Sequence, residues 1–287
     1  MGIKIITDSA SDIPKELALK YNIEVLPLLV YKDGDTTEYR DNVDIFPDDM
    51  YEFMIEGGTV KTAQVSYESF YRKFEECINT DDEYIYIAFS SELSGTYQTS
   101  KMVEIELKEK YGDINIEIID TKAASLGFGL IVIEAAKVAK QTNDKSKVLE
   151  TIKYMMKNIE HIFTVDNLEY LYRGGRVSKA SAVIGGVLNI KPILDVEDGK
   201  LIPFEKVRGR KKAIKRIAEL VSKRNIDLEK LIVGINYSYN KKDALLLADM
   251  LKKMYGIENY ILGEIGCSIG AHTGPGTLSV YFLKQNN

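Results

Sequence analysis

Hydroxyl residues that stand before predicted helices are the first side chains in this sequence with a chemical use. Thr62 lies in KTAQVS, and Ser94 lies in ELSGTYQ, where Gly95 follows it. A hydroxyl at a helix N-terminus can hold an anion together with the free backbone N–H groups there, because the helix dipole and the unpaired donors favour negative charge. The simpler interpretation is an N-cap that only stabilises its helix.

A histidine surrounded by glycines is the second candidate. His272 lies in AHTGPGTL, which we interpret as a glycine-rich loop before the last predicted strand. The glycines leave room for a ligand, at a cost in backbone entropy. A structural histidine is the competing interpretation. The only other histidine, His161, begins the predicted strand HIFTV, and we assign it a structural role.

Two basic segments are candidates for contact with an anion or a partner. Arg173 and Arg176 flank the glycines of LEYLYRGGR, where a helix stop is the simpler interpretation. In VRGRKKAIKR, we expect Arg208 and Arg210 at the start of a helix, where positive charge opposes the helix dipole. Such a conflict favours a site that accepts an anion, and a solvated basic face is the alternative.

The motifs of common enzyme classes are missing from the sequence. It contains no phosphate-binding P-loop, no dinucleotide fingerprint after the first strand and no H-E-x-x-H. Two histidines and two separated cysteines leave too few ligands for an ordinary transition-metal centre. The net charge of -5 argues against a nucleic-acid partner. We therefore expect no metal, no cofactor of its own and no nucleic acid.

The sequence also favours a cytoplasmic location. No apolar run reaches the roughly 18 residues of a membrane helix, and MGIKIITDSASDIP lacks the basic and apolar regions of a signal peptide. Cys77 and Cys267 have no C-x-x-C spacing, so no disulfide framework is indicated.

The order of predicted elements indicates an α/β protein. The first half alternates strand-like runs with amphipathic helices, which is typical of βαβ units around a mostly parallel sheet. Hydroxyl and carboxyl residues follow three of its strands, at 7–9, 90–94 and 120–125. After a connecting helix, a hairpin with Asp198 and Gly199 at its turn opens a second α/β region. We predict two packed domains, 1–160 and 161–287.

Eight motifs carry a resemblance to a known family. They are TDSASD, KTAQVS, SSELSGTYQ, DTKAASLGFG, LEYLYRGGRVSKASA, KPIL, RGRKKA and HTGPGTL. In this order, from Ile3 to about Phe282, they resemble the DegV family of fatty-acid-binding proteins, the carrier subunits of bacterial fatty acid kinase. The resemblance implies two α/β domains that enclose one long-chain fatty acid in an apolar tunnel between them. It implies no catalytic residues, with ATP and Mg²⁺ on a separate kinase subunit.

The residues that the family uses carry over to matching positions. Its carboxylate-binding threonine, serine and histidine fall on Thr62, Ser94 and His272, with Gly95 beside the serine. Its arginine that faces the kinase falls on Arg173.

Four other positions correspond less directly to the family's pattern. Arg208 and Arg210 are added as helpers of Arg173. Ala63 and Val65 depart from the family's usual serine or threonine and its proline, which puts affinity in doubt more than function.

The implied function is to hold the fatty acid and present its carboxylate to the kinase, which forms acyl phosphate, with transient contact at a membrane surface. The alternative is a self-contained serine esterase or thioesterase with Ser94 as nucleophile and His272 as base. Against it, ELSGT lacks the glycine of a nucleophile elbow, and no acid partner for the histidine stands out. A third interpretation is a sensor whose bound lipid alters a regulator's docking surface, which the sequence does not distinguish from a carrier.

Overall fold

The computed structural model describes residues 2–179, 189–224 and 232–284. Strands before residue 121 form one parallel sheet and a small antiparallel one, and strands from residue 159 onward form a larger mixed sheet. Residues 180–182, which end the predicted motif LEYLYRGGRVSKASA, lie outside the described residues, as do residues 230–231 at the start of the predicted strand KLIVGINY.

The first half contains a four-stranded parallel sheet in the order β2-β1-β6-β7. In chain order, the elements of this half are β1 (Ile3–Asp8), a 3-10 helix (Ser9–Ser11), α1 (Lys15–Tyr21), β2 (Glu24–Leu26), β3 (Leu29–Lys32), β4 (Tyr39–Arg40), α2 (Pro47–Ile55), β5 (Val60–Ala63), α3 (Tyr67–Ile78), β6 (Glu83–Ala88), α4 (Thr96–Tyr111), β7 (Ile116–Asp120), α5 (Ser125–Ala139) and α6 (Lys145–Asn158). The parallel pairing confirms the predicted βαβ units and brings the three polar strand ends to one edge of the sheet.

The apolar run IEVLPLLVY divides at Pro27 into two strands of different sheets. β2 ends at Leu26 in the parallel sheet, whereas β3 begins at Leu29 and pairs antiparallel with β4 and β5 in a three-stranded sheet. Proline has no backbone N–H to donate to a ladder, so the division falls where pairing would be weakest. The same small sheet carries Thr62.

The second half contains a six-stranded mixed sheet in the order β10-β9-β8-β13-β11-β12. Its elements in chain order are β8 (Ile159–Thr164), α7 (Glu169–Arg173), β9 (Ile190–Glu197), β10 (Lys200–Arg208), α8 (Arg210–Arg224), β11 (Val233–Tyr237), α9 (Lys241–Tyr255), β12 (Tyr260–Glu264), α10 (Cys267–Thr273) and β13 (Leu278–Leu283). The predicted hairpin is confirmed, because β9 and β10 pair antiparallel across Asp198 and Gly199, both with positive φ.

Helix α5 joins the two halves of the molecule. Its sequence is apolar on every side, and most of its residues are buried. Such a helix must be covered on all faces, and α5 contacts β1 of the first sheet as well as β8, β11 and β13 of the second. Gly127 makes the approach close, because an added Cβ there would collide with His161 Nε2 and lie only 2.7 Å from the Tyr281 ring. The two sheets therefore share one packed layer.

The structure tests one of our expectations about the whole chain and leaves another untested. Among the described residues, no helix combines the length and apolar character needed to cross a bilayer. The division into residues 1–160 and 161–287 stays a prediction.

The hairpin tip offers a test of how the two sheets are joined. Gly199 has a φ of +82°, and a Cβ there would lie 2.5 Å from Ser90 Oγ, whose hydroxyl donates to the Gly199 carbonyl at 2.9 Å. We expect Gly199→Ala to lower the free energy of unfolding by about 2 to 4 kcal/mol, from backbone strain and overpacking together.

Gly34→Ala is the matched control, since Gly34 has a φ of +80° with nothing within 4 Å of an added Cβ. It should cost only the strain, about 1 to 2 kcal/mol. Urea unfolding of both variants measures the difference, and equal losses would show that the Ser90 contact contributes nothing.

Candidate functional site

A cavity of about 320 Å³ opens between side chains of both main sheets, β5 and α10. We call it the inner cavity. It is lined by the aromatic and aliphatic side chains of Phe89, Leu93, Phe163, Leu171, Val196, Leu201, Ile265 and Ile269, among others. The four residues predicted to bind the ligand, Thr62, Ser94, Gly95 and His272, all line it as well. The structure thus brings together residues from distant parts of the sequence.

Thr62 reaches the inner cavity from a strand. We expected it before a helix, but it lies in β5, where it pairs with Val30 of β3, and α3 begins only at Tyr67. The helix N-terminus at that point is capped by Ser66, whose side chain accepts from the Ser69 N–H. Thr62 is therefore no N-cap, and its hydroxyl is available to other partners.

His272 is the hydrogen-bond partner of Thr62. Its Nε2 lies 2.7 Å from Thr62 Oγ1 across 210 residues of sequence. Our expectation of a loop around His272 is wrong, because the residue occupies the last turn of α10, whose C-cap is Gly274 with a φ of +78°. A helix holds the imidazole more firmly than a glycine-rich loop would.

The remaining ring nitrogen of His272, Nδ1, is packed against the C-terminal end of α7. Nδ1 is buried and has no hydrogen-bond partner among the described residues. Gly174, the C-cap of α7, lies so close to Nδ1 that a Cβ there would collide with the ring. The paired glycines of RGGR therefore stop the helix, as predicted, and also leave space for the imidazole.

Burial sets the charge of this histidine. Removal from water and, to a lesser extent, the nearby Arg176 guanidinium together lower the pKa of His272 to about 4. The imidazole is thus neutral at pH 7, with one donor and one acceptor nitrogen.

Ser94 and Gly95 stand where we expected them, at the start of α4. The Ser94 hydroxyl accepts from the Thr96 N–H at 3.2 Å and lies 2.8 Å from Thr96 Oγ1. Gly95 is the N-cap, and the Gln64 side chain packs directly against it. A hydroxyl and the N-terminus of α4 therefore reach the inner cavity together, which suits an anion.

Arg176 is the arginine of RGGR that the sequence analysis considered but did not assign to the site. We singled out Arg173, which is about half exposed and stacks on the Tyr170 ring with 4.8 Å between its Cζ and the ring centroid. Arg176 instead lines the inner cavity, where its Nε donates to the Leu93 carbonyl at 3.0 Å. It has no carboxylate partner among the described residues, and burial lowers its pKa. Its place in the same RGGR motif was the available signal.

A second cavity of about 400 Å³, the outer cavity, adjoins the first. Thr62, Arg176 and His272 line both of them. The outer cavity is also lined by Lys61 and Arg173, and no aspartate or glutamate is among its lining residues. Its positive charge favours an anion at the junction of the two cavities.

Arg208 and Arg210 stand apart from both cavities. Only Arg210 begins a helix, whereas Arg208 ends β10, so that part of our expectation is wrong. The Nε of Arg210 donates to Asp243 at 2.7 Å, which offsets the unfavourable position of its charge at the start of α8. Their role toward a partner stays a prediction.

His161 has the surroundings of a structural residue. Its ring is buried, packs edge-on against Tyr281 and accepts the Ala124 N–H at 3.4 Å. Burial lowers its pKa to about 4. In the described ranges no group of three potential metal ligands is close enough to hold an ion, and the predicted lack of a metal stays a prediction.

Comparison with known proteins identifies the family. A model of the DegV family, described as an uncharacterised protein family, matches residues 2–285. A DegV domain-containing protein of Clostridium perfringens is 40% identical over 282 residues, which cover 97% of this chain and 96% of that protein. The chain belongs to the DegV family.

Solved DegV structures agree with this one over nearly the whole chain. A DegV protein of Thermus thermophilus, described as binding fatty acid, has a TM-score of 0.89 at 30% identity and covers 99% of this chain and 100% of its own. A stearic-acid-binding protein of Eubacterium ventriosum has a TM-score of 0.91 at 26% identity, with 98% of each chain covered. The α/β fold predicted for a DegV protein is confirmed.

The two departures from the family pattern lie on either side of Gln64. Ala63 ends β5 and lines the inner cavity of this DegV protein, and Val65 is fully buried in the core. Valine at this position therefore contributes packing.

The charge state of the two histidines can be measured directly. Because both have a pKa of about 4, each favours its neutral form in the folded state. Each therefore stabilises the fold above pH 6.5, the ordinary histidine pKa, and loses that contribution as the pH falls toward 4.

An NMR titration of the ring signals in ligand-free protein should show neither histidine titrating near pH 6.5. His272→Gln assigns the signals by removing one of them. A ring that titrates near 6.5 would contradict the buried position described for it.

Proposed function

We propose that this protein binds a long-chain fatty acid, with the acyl chain in the inner cavity and the carboxylate beside Thr62, Ser94 and His272. The observation that carries the proposal is the 2.7 Å contact between Thr62 and His272 at the point where an apolar cavity meets a cationic one. The fatty-acid-binding proteins of the same fold and family support it.

The acyl chain accounts for the affinity. Burial contributes about 0.8 kcal/mol per CH₂ group, so a chain of roughly 14 to 18 carbons provides on the order of 10 kcal/mol before ordering costs. The carboxylate contributes orientation, because outside water it needs donors to replace the hydrogen bonds that it loses.

A short relay supplies these donors. We assign the proton of neutral His272 to Nε2, because an N–H at the unpartnered Nδ1 would be a buried donor without an acceptor. Nε2 then donates to Thr62 Oγ1, and the Thr62 hydroxyl donates its own proton to the carboxylate. Ser94 supplies a second hydroxyl, and the guanidinium of Arg176 compensates the negative charge.

A carrier role follows from the same site. In this proposal a separate ATP-dependent kinase transfers a phosphoryl group to the carboxylate oxygen, so that acyl phosphate forms and ADP leaves, with ATP and Mg²⁺ held by the kinase. Arg173, with Arg208 and Arg210 as helpers, docks the kinase or steadies the phosphate. A cytoplasmic location belongs to this proposal, since ATP is the phosphoryl donor.

The esterase alternative has less support from the geometry. His272 directs Nε2 at Thr62, and Ser94 forms its hydrogen bond with Thr96, so the pair lacks the contact that activates a serine nucleophile. Labelling of Ser94 by a fluorophosphonate probe would support the esterase alternative.

Headgroup variants test the fatty acid site. We expect Thr62→Ala, Ser94→Ala and His272→Ala each to weaken hexadecanoic acid binding by about 10- to 100-fold, the equivalent of one hydrogen bond to a charged group. Isothermal titration calorimetry on delipidated protein measures the affinity. Ser146→Ala, an exposed serine near the start of α6, is the control. Unchanged affinity in all three variants would refute the site.

A second experiment tests the carrier role. Fatty acid and Mg²⁺-ATP, mixed with this protein and a DegV-partner kinase, should yield acyl phosphate, detectable as its hydroxamate. Arg173→Ala should slow product formation by about tenfold while fatty acid affinity stays within about twofold, because this side chain faces the outer cavity only. Acyl phosphate made without the kinase would contradict a carrier.

A further inference from the structure

Helix α10 is held at both ends by residues from the first quarter of the chain. At its C-terminal end His272 contacts Thr62, as described above. At its N-terminal end two aspartates accept its first backbone N–H groups: Asp12 accepts from Gly266 at 2.8 Å, and Asp41 accepts from Cys267 at 3.0 Å and from Ser268 at 3.1 Å. The helix therefore bridges two fixed points.

The two aspartates are unusual in being buried without a cation. Asp12 is 6% exposed and Asp41 is 1% exposed, and neither forms an ion pair among the described residues. Serine hydroxyls complete their hydrogen bonds: Ser9 donates to Asp41 at 2.8 Å, Ser268 donates to the same oxygen, and Ser125 donates to Asp12. Buried carboxylates cost free energy unless every such bond is made, so this arrangement ties α10 to the first half of the chain.

The length of the helix makes that attachment decisive. α10 has seven residues, which corresponds to about 10 Å and is too short for a stable helix in isolation. Its position is set by what holds its ends, since a rigid helix transmits displacement of one end to the other. A shift of about 1 Å at His272 is enough to break a hydrogen bond to Thr62.

We propose that Asp41, assisted by Asp12, is a positioning residue for the carboxylate site, holding α10 so that the His272 imidazole meets Thr62. Neither aspartate lines the inner cavity, so both act through the helix. The inference rests on the proposed fatty acid function and adds to it a determinant that does not itself line the cavity.

The main test compares two ligands that share a tail and differ in headgroup. In Asp41→Asn an amide NH₂ faces the N–H of Cys267 or Ser268. This breaks one of the hydrogen bonds that hold the N-terminal end of α10, with almost no change in volume. We expect affinity for hexadecanoic acid to fall by about tenfold or more, whereas affinity for 1-hexadecanol stays within about twofold. Asp44→Asn is the matched control, because Asp44 is a surface partner of Arg40 at 2.7 Å, and it should change neither affinity.

A second variant covers the case in which Asp41→Asn does not fold. Ser9→Ala removes the hydrogen bond from Ser9 to Asp41, together with the Ser9 contact to the Ser268 hydroxyl of α10 and the acceptor of the Leu28 N–H. Ser9 is not among the residues that line the cavity. This variant should produce the same selective loss for the acid, smaller in size. In both variants the NMR signal of the His272 ring should shift.

The outcomes separate the two hypotheses. Parallel losses for acid and alcohol, or no loss for either, would overturn the positioning role and leave fatty acid binding intact. Failure of the unmodified protein to bind hexadecanoic acid would instead overturn the proposed function.

Discussion

The contact between Thr62 and His272 joins the small antiparallel sheet of the first half to the last helix of the second half, across 210 residues. It lies where the inner and outer cavities meet, because both residues line both cavities. A hydrogen bond of 2.7 Å tolerates displacement of only a few tenths of an ångström. The buried layer formed by α5 and the capped ends of α10 supply that rigidity.

Charge is distributed unevenly around this contact. Burial raises the pKa of Asp8 to about 7 and also raises the pKa values of Asp12 and Asp41, whereas it lowers those of both histidines. The aspartates stabilise the fold more as the pH falls, because their protonated forms are favoured inside, and the histidines do the opposite. Asp12 and Asp41 thus lie at the N-terminal end of α10, whereas Lys61, Arg173 and Arg176 line the outer cavity with His272 at its other end. An anionic ligand at the junction therefore meets net positive charge.

Several parts of the site could not be read from local sequence, for reasons that the structure makes plain. Thr62 looked like a residue before a helix, but its strand exists only because β3 and β5 pair over some thirty residues of intervening chain. His272 looked like a loop residue because of its glycines, yet Gly270 is small so that Tyr51 can pack against the helix, and Gly274 ends it. Arg173 and Arg176 are indistinguishable in RGGR until the fold buries one of them.

Local patterning was sufficient to predict the α/β class, the parallel βαβ half and the β9–β10 hairpin, and the family motifs could be read in order along the chain. These features depend on the spacing of apolar residues and on turn chemistry within short segments. Local patterning also identified hydroxyl, imidazole and guanidinium groups of the right chemical types. Which of these groups share a cavity, which nitrogen of His272 has a partner and which aspartates hold α10 were decided only by tertiary packing. Those relations depend on distances between segments far apart in the chain, and no short-range pattern encodes such distances.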